Sequence, residues 1–299
     1  MLSTTSAVAP ANSTLSPIIA GMWRMAEWQL SVDQRVTFIE RCLALGVSSF
    51  DHADIYGNYS VEALFGAALQ AQPGLRQRMQ LVSKCGIKLL APARGQSIQH
   101  YDTSAAHIIA SAEQSLRHLH TDYLDMLLIH RPDPLMDFDE IADAFSSLIK
   151  AGKVRQVGVS NFSRHQFDCL HRRVSLATNQ VEFSPLCVAP MFDETFDGLQ
   201  DLQVAPMIWS PLAGGRLLTG SDAHVTQLRA VIQEIADRLE QPFVSVVFAW
   251  ILRMPCKPRP LTGSGRLDAI ALAMRGTTFT LSRTDWFAIL RAARGHEVA

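Results

Sequence analysis

The stretch Phe50-Asp51-His52-Ala53-Asp54-Ile55-Tyr56-Gly57 follows a short apolar run over residues 47–50 and precedes a helical pattern that opens near Ser60. It puts a carboxylate at the end of a strand and a phenol five residues later, in a loop. Asp, Asn and Gly are ordinary turn formers, so taken alone the stretch fits a plain turn as well as a site. The way the other strands end decides between the two.

They end alike. Ile18 and Ile19 lead into Gly21-Met22-Trp23-Arg24, read as a strand running into a loop. The apolar run 79–83 stops at Lys84, and the strongly apolar run 123–129 stops at His130. Residues 154–159 end in Ser160-Asn161, 177–181 carry Asn179-Gln180, and 204–209 end in Ser210-Pro211. A last short strand, 259–262, ends in Gly263-Ser264-Gly265. Helical patterns fill the intervals. Over 31–45, Val36, Ile39 and Leu43 fall at helical spacing and Gly46 is the stop. Over 60–69, Leu64 and Leu69 are expected to face inward. Thr103 or Ser104 can cap a helix with Ile108, Ile109, Ala112, Leu116 and Leu119 on one face. Further helices are expected over 138–150, with Gly152 just beyond, and over 163–171, 226–239, 243–252, 266–274 and 284–293.

Strand and helix thus alternate about eight times, which points to a parallel sheet. A doubly wound open sheet would spread the strand-end polar residues along a crevice. A closed eight-stranded barrel gathers them on one face, where active sites of such barrels lie. Asp51, Lys84, His130, Asn161, Gln180, Ser210 and Ser264 all stand at strand ends, so the expectation is a (β/α)8 TIM barrel with an extra C-terminal helix. No composition break or long linker divides the sequence, so residues 1–299 read as one domain with a loose start over 1–15.

Composition excludes several alternatives. Nearly half of the 299 residues (48%) are hydrophobic, enough for a sizeable core, and a net charge of −1 gives no reason to expect nucleic acid or an anionic membrane surface. Cys42, Cys85, Cys169, Cys187 and Cys256 contain no CxxC pair, which speaks against zinc and a disulfide framework and fits a cytoplasmic protein. Residues 1–16 lack the basic and apolar segments of a secretory signal, and no apolar run approaches the roughly 18 residues of a membrane span. Among the strand-end residues, Asp51, Tyr56, Lys84 and His130 stand out. Singly, an Asp can cap a helix, a Tyr can pack a rim, a Lys can be solvated and a His can be a satisfied core residue. All four on successive strands is a far less ordinary coincidence.

At this point the chain resembles the aldo-keto reductase family over nearly its whole length. Leu45-Gly46 through Asp51, then Tyr56-Gly57 and Ser60-Val61-Glu62, look like its first signature. Leu116, Leu119, Asp122-Tyr123, Asp125 and Ile129-His130-Arg131-Pro132 look like its second. Gly152-Lys153-Val154-Arg155 through Gly158-Val159-Ser160-Asn161-Phe162 resembles a third. Asn179-Gln180-Val181-Glu182-Phe183-Ser184-Pro185 and Trp209-Ser210-Pro211-Leu212-Ala213-Gly214-Gly215 are similar to its cofactor segments.

The resemblance implies NADPH-dependent reduction of small-molecule aldehydes or ketones, with Tyr56 as general acid. A free phenol, with a pKa near 10, exchanges protons poorly at neutrality. A Lys84 cation about 4 Å away, at an effective dielectric of about 20, interacts with the phenolate by about 4 kcal/mol. That would lower the phenol pKa by about 3 before burial acts the other way. Asp51 would hold Lys84 charged, and His130 would orient the substrate carbonyl. Ser160, Asn161 and Gln180 look like the carboxamide contacts. Phe183 stands where the family usually has a tyrosine stacked on the nicotinamide. Ser210, Leu212, Gly214 and Arg216 would bracket the pyrophosphate, and Ser264 and Arg266 resemble the group that grips the 2′-phosphate. Gly21, Met22, Trp23, Asp51, Trp209, Pro211 and Gly263 complete the implied cofactor contacts. No metal is implied.

Two features depart from the family's pattern. Ala269 stands where a second basic residue often follows Arg266, and Leu272 and Ala273 stand where an acid and an amide usually read the adenine. The preference for NADPH is therefore expected to be modest. Gly263-Ser264-Gly265 lacks the rest of a GxGxxG, so no Rossmann unit is implied. One competing reading is a cofactor-binding regulatory subunit like the potassium-channel β-subunits of this superfamily. The short N-terminal segment and complete tetrad speak against it. A barrel lyase or hydrolase would need a metal cluster or an activated Ser or Cys, which the sequence does not offer.

Overall fold

The computed structural model describes residues 15–297. Most of the segment expected to be loose therefore lies outside the described residues; Leu15, the last of it, is buried. Among the described residues the strands are β1 (Ile19–Gly21), β2 (Ser49–Asp51), β3 (Gln80–Cys85), β4 (Ile87–Lys88), β5 (His100–Tyr101), β6 (Leu124–Ile129), β7 (Val154–Ser160), β8 (Leu176–Glu182), β9 (Met207–Trp209) and β10 (Arg259–Thr262). All but β4 and β5 close into a barrel in the order β1-β10-β9-β8-β7-β6-β3-β2. Every pairing in that barrel is parallel. Parallel neighbours need long crossovers, and helices supply them.

The helices are α1 (Val32–Ala44), the single turn α2 (Tyr56–Tyr59), α3 (Val61–Ala71), α4 (Ala105–His118), α5 (Phe138–Lys150), α6 (Arg164–His171) and α7 (Thr195–Asp201). They continue as α8 (Arg216–Thr219), α9 (Ala223–Arg238), α10 (Phe243–Leu252), α11 (Leu267–Arg275) and α12 (Arg283–Arg294). The last is the expected extra C-terminal helix; its Trp286 exchanges indole-to-carbonyl hydrogen bonds with Trp250 of α10. Helix starts follow local chemistry. Ser31 and Ser163 each form a capping box with a glutamine three residues on, and Ser104 caps α4. On α3 the buried face runs through Val61, Glu62, Phe65, Ala68 and Leu69, so Leu64 is only half-buried, contrary to expectation.

The barrel interior is a small apolar layer, Ile19, Val82, Met126, Leu128, Ala177, Met207 and Leu261, with Leu15 beneath it. Strand alternation then puts Gly21, Lys84, His130 and Trp209 on the same inner face, two residues further towards the mouth. On β8 the register slips: Leu176 to Asn179 on β8 faces Val157 to Val159 on β7, one residue more on β8. Such a bulge turns the following side chains to the opposite face. It lets Ala177 and Gln180 both point inward. A Cβ on Gly158 of β7 would stand 2.8 Å from the Thr178 carbonyl of the bulged strand, so only glycine fits there. Between β3 and α4, the antiparallel pair β4–β5 was not anticipated from the sequence.

Candidate active site

Asp51 is the last residue of β2 and Lys84 stands near the end of β3, both essentially without solvent exposure. Lys84 Nζ donates to Asp51 Oδ2 at 2.7 Å, to the His52 carbonyl at 2.8 Å and to Tyr56 Oη at 3.0 Å. All three ammonium protons thus have an acceptor. Gln180 Nε2 donates to the other Asp51 oxygen at 2.8 Å, so the carboxylate is held from both sides. Tyr56 opens α2, whose Gly57, Asn58 and Tyr59 lie in the left-handed region at φ 57°, 52° and 68°. This tight turn holds the phenol within hydrogen-bond reach of Lys84 before α3 begins. The Tyr59 hydroxyl receives the Leu89 N–H at 3.0 Å and donates to Gln96 at 3.1 Å, with the Arg94 guanidinium 4.0 Å from its ring centre. The β4–β5 segment is thereby docked on the rim beside Tyr56.

His130 follows β6, its backbone N–H on the Cys85 carbonyl at 2.8 Å, and its ring meets that of Tyr56 edge-on at 5.9 Å. Burial, then the nearby charges of Lys84 and Arg131, hold its pKa well below 6.5. It is a neutral imidazole at physiological pH, and such a ring has one N–H to donate. For Tyr56, burial pushes the phenol up, Lys84 pulls it down and Asp51 pushes it up again; the balance lies above the ordinary phenol value. The expected lowering by Lys84 is present but outweighed. Lys84 itself is opposed by burial, yet Asp51 and Tyr56 more than offset that and raise its pKa. The cation is therefore permanent.

Around this tetrad lie the residues read as cofactor contacts. Ser160 Oγ donates to the Gln180 carbonyl at 2.9 Å, and Asn161 Nδ2 donates to Ser160 Oγ at 2.8 Å and to the His130 carbonyl at 3.3 Å. The Trp209 indole N–H donates to Asn161 Oδ1 at 2.9 Å, and the Arg131 guanidinium lies 5.8 Å from its ring centre. Phe183 is elsewhere. Its ring is fully buried in the helix layer, stacked on Trp250 at 5.2 Å and edge-on to Phe196 at 4.9 Å. The bulge in β8 is the cause: with Gln180 turned inward, Val181 and Phe183 point outward. The half-buried aromatic face at the mouth belongs to Trp209 instead.

Beyond β9, Ser210, Ala213, Gly214 and Gly215 have φ values of 53°, 51°, 66° and 100°. These conformations fold the segment into tight turns, in which the Ala213 N–H donates to the Ser210 carbonyl at 2.8 Å and the Gly215 N–H to the Leu212 carbonyl at 3.0 Å. A Cβ at Gly214, Gly215 or Gly263 would meet nothing within 4 Å, so the backbone there is open to approach. Pro211 and Leu212 lie in the same loop, and Arg216 is paired with Asp222 at 3.1 Å. Gly21, Met22 and Trp23 lie at the end of β1; Met22 is buried and Trp23 is 61% exposed. Ser264 Oγ accepts the Arg266 N–H at 3.1 Å, and the Arg266 guanidinium is engaged by both Asp268 oxygens, Nε at 3.1 Å from one of them. Trp209, the open turn after β9 and the arginine beyond β10 are thus an aromatic face, approachable backbone and a cation along one side of the mouth. Among the described residues, no group of three or more His, Cys, Asp or Glu could hold a metal ion, and the five cysteines are free. No helix among the described residues is long and apolar enough to cross a membrane.

The sequence pattern of the Aldo/keto reductase family matches residues 17–293. The chain belongs to that family. It is 49% identical to the oxidoreductase YdhF of Escherichia coli (strain K12), over 97% of this chain and 98% of that one. It is 42% identical to a 6-dehydroglucose reductase of Agrobacterium fabrum, over 95% of this chain and 96% of the other. Among solved structures, an aldo/keto reductase from Klebsiella pneumoniae in complex with NADP and acetate superposes with a TM-score of 0.77 at 25% identity, over 95% and 93% of the two chains. The glycerol dehydrogenase of Gluconobacter oxydans shares the fold, with a TM-score of 0.85 at 21% identity over 99% and 97%. The fold is thus the closed (β/α)8 barrel of aldo-keto reductases, and the chain is an oxidoreductase of a family that uses nicotinamide cofactors on small carbonyl compounds.

Proposed function

We propose that this chain reduces aldehyde or ketone groups of small molecules with NADPH, and that Tyr56 is the general acid. The observation that carries this reading is the buried relay Asp51–Lys84–Tyr56, at 2.7 and 3.0 Å, which opens beside a neutral His130. With its pKa raised, the Tyr56 phenol is protonated at neutrality and holds a proton for the oxygen of a carbonyl being reduced. As that O–H bond forms and the phenol O–H breaks, the phenolate left behind faces the Lys84 ammonium. The charge that develops in the reaction is thus met by a cation already in place. His130 donates its N–H to the same carbonyl oxygen and orients it.

NADPH, when bound, supplies the hydride. Trp209 would give the ring a flat face, and Ser160, Asn161 and Gln180 would hold its carboxamide. The Ser210–Gly215 turn with Pro211, Leu212, Gly214 and Arg216 would take the pyrophosphate. Gly263, Ser264 and Arg266 would meet the 2′-phosphate, and Gly21, Met22, Trp23 and Asp51 would line the remaining wall. Support comes from the NADP bound by the Klebsiella enzyme and from two relatives named 6-dehydroglucose reductases, 42% and 34% identical. The decisive experiment follows NADPH oxidation over a panel of aldehydes, ketones and quinones that includes a hexose oxidised at carbon 6. Turnover that Tyr56→Phe abolishes, with NADPH binding kept, is the expected result. Tight NADPH binding with no turnover, alongside a stable complex with another protein, would instead support a regulatory subunit.

A further inference from the structure

Asp54 stands two residues before Tyr56, and nothing in the proposed chemistry uses it. Its Oδ2 accepts a hydrogen bond from Ser111 Oγ of α4 at 2.8 Å, 57 residues away in sequence. Its backbone N–H donates to the carbonyl of Lys84 itself at 3.0 Å. Its Oδ1 is buried without a partner. The loop that carries the phenol is therefore tied at one residue both to β3 and to the outer helix layer. Tyr56 closes the same turn, its N–H donating to the carbonyl of Ala53, the residue before Asp54, at 3.1 Å.

We propose that Asp54 is a positioning residue for Tyr56: it ties the catalytic loop to β3 and α4, and the charge on its carboxyl acts on the phenol. The proposal rests on the reading of Tyr56 as general acid. The charged and titratable groups around Asp54 come from every packed element. They are Glu62 of α3, Lys84 and Cys85 of β3, and Tyr56 with the Ile55 N–H of its own loop. His107, one turn before Ser111 on α4, keeps one buried ring nitrogen without a partner, and His52 keeps both. Burial first, then neighbouring lysines, pull both imidazoles down, His52 to about 3, so neither supplies a cation.

In this setting burial pushes the Asp54 carboxyl up to about 7, against the pull of Ser111 and with the help of Glu62. As a neutral acid it adds no charge beside the phenol. Once its proton leaves for bulk water, a second anion joins Asp51 near Tyr56. That anion opposes the phenolate and weakens the advantage Lys84 confers.

The test uses the full chain with its tyrosines labelled at the ring carbon that bears oxygen. There are only four tyrosines, and Tyr56→Phe assigns the signal of interest. Between pH 5 and 9 the Tyr56 signal should shift with a midpoint near 7 in the wild type. Asp54→Asn should abolish that transition, and Ser111→Ala should move its midpoint upward, because a bond favouring the anion is lost. In parallel, the pH profile of kcat/KM for reduction of an aldehyde should lose its inflection near 7 in Asp54→Asn while keeping most of its low-pH value. A Tyr56 transition that survives in Asp54→Asn, or is absent from the wild type, overturns the proposal. Absence of turnover in the wild type itself, or full turnover in Tyr56→Phe, would sink the general-acid reading of Tyr56 instead. The tyrosine signal would still decide whether Asp54 governs that residue.

Discussion

The two arcs of the barrel mouth solve different problems. The arc over β2, β3 and β6 is closed: Lys84 and Asp51 are buried, each hydrogen-bonded on several sides, and His130 is kept neutral by its surroundings. The arc over β9 and β10 is open: the Arg266 and Asp268 side chains are 76% and 62% exposed, and three glycines leave bare backbone. Charges interact strongly only where water is excluded. The closed arc can therefore set proton affinities, whereas the open arc can only grip a ligand that brings its own charge. Loss of a residue should cost rate or stability in the first arc and modest affinity in the second.

The largest effect is expected at the centre of the closed arc. Tyr56→Phe should lose about 10²–10⁴-fold in turnover, the usual worth of general acid catalysis, while NADPH titration stays near wild type. A variant that keeps its turnover would mean that the closed arc does not perform the proton transfer.

Lys84→Met probes the same arc through stability. It leaves the Asp51 carboxylate buried without its cation, and breaking such a pair typically costs about 3–5 kcal/mol. Urea unfolding should show a loss of that order, and any remaining turnover should have its pH profile moved upward. A loss of only a few tenths of a kcal/mol would make the buried pair no different from a surface one.

Asp54→Asn sharpens the contrast with the opposite sign. In the folded chain this acid has a pKa raised to about 7, against 3.8 unfolded, so the folded state holds its proton more tightly. Its contribution is unfavourable once the pH exceeds about 4, and it grows until the pH passes 7. The asparagine should stabilise the protein at pH 8, by a few kcal/mol at most, and change little at pH 4. Unfolding curves at both pH values check this; destabilisation at pH 8 would show that the ionised carboxyl is well accommodated.

The smallest effect belongs to the open arc. Arg266→Ala should weaken NADPH several-fold and leave NADH unchanged, because Asp268 already occupies the guanidinium and water screens both. Fluorescence titration with the two cofactors decides it. Equal losses for both would mean that the 2′-phosphate is held elsewhere.

These contrasts separate what was legible in the chain. Local alternation of strand and helix, and a polar residue at each strand end, sufficed for the closed barrel and for the gathering of Asp51, Tyr56, Lys84 and His130. Those properties repeat within a few residues and need no distant partner. Phe183 and Trp209 were not separable that way. One extra residue in β8 reverses which side chains face inward, and a bulge arises from pairing with β7 rather than from the β8 sequence. The raised phenol was likewise out of reach, because burial is a sum over the whole fold, while the Lys84–Tyr56 attraction could be estimated from two residues. Asp54 read as an ordinary loop acid. Only the packing of α4 against the loop, which brings Ser111 to 2.8 Å and shuts out water, gives that carboxyl its proton and its link to Tyr56.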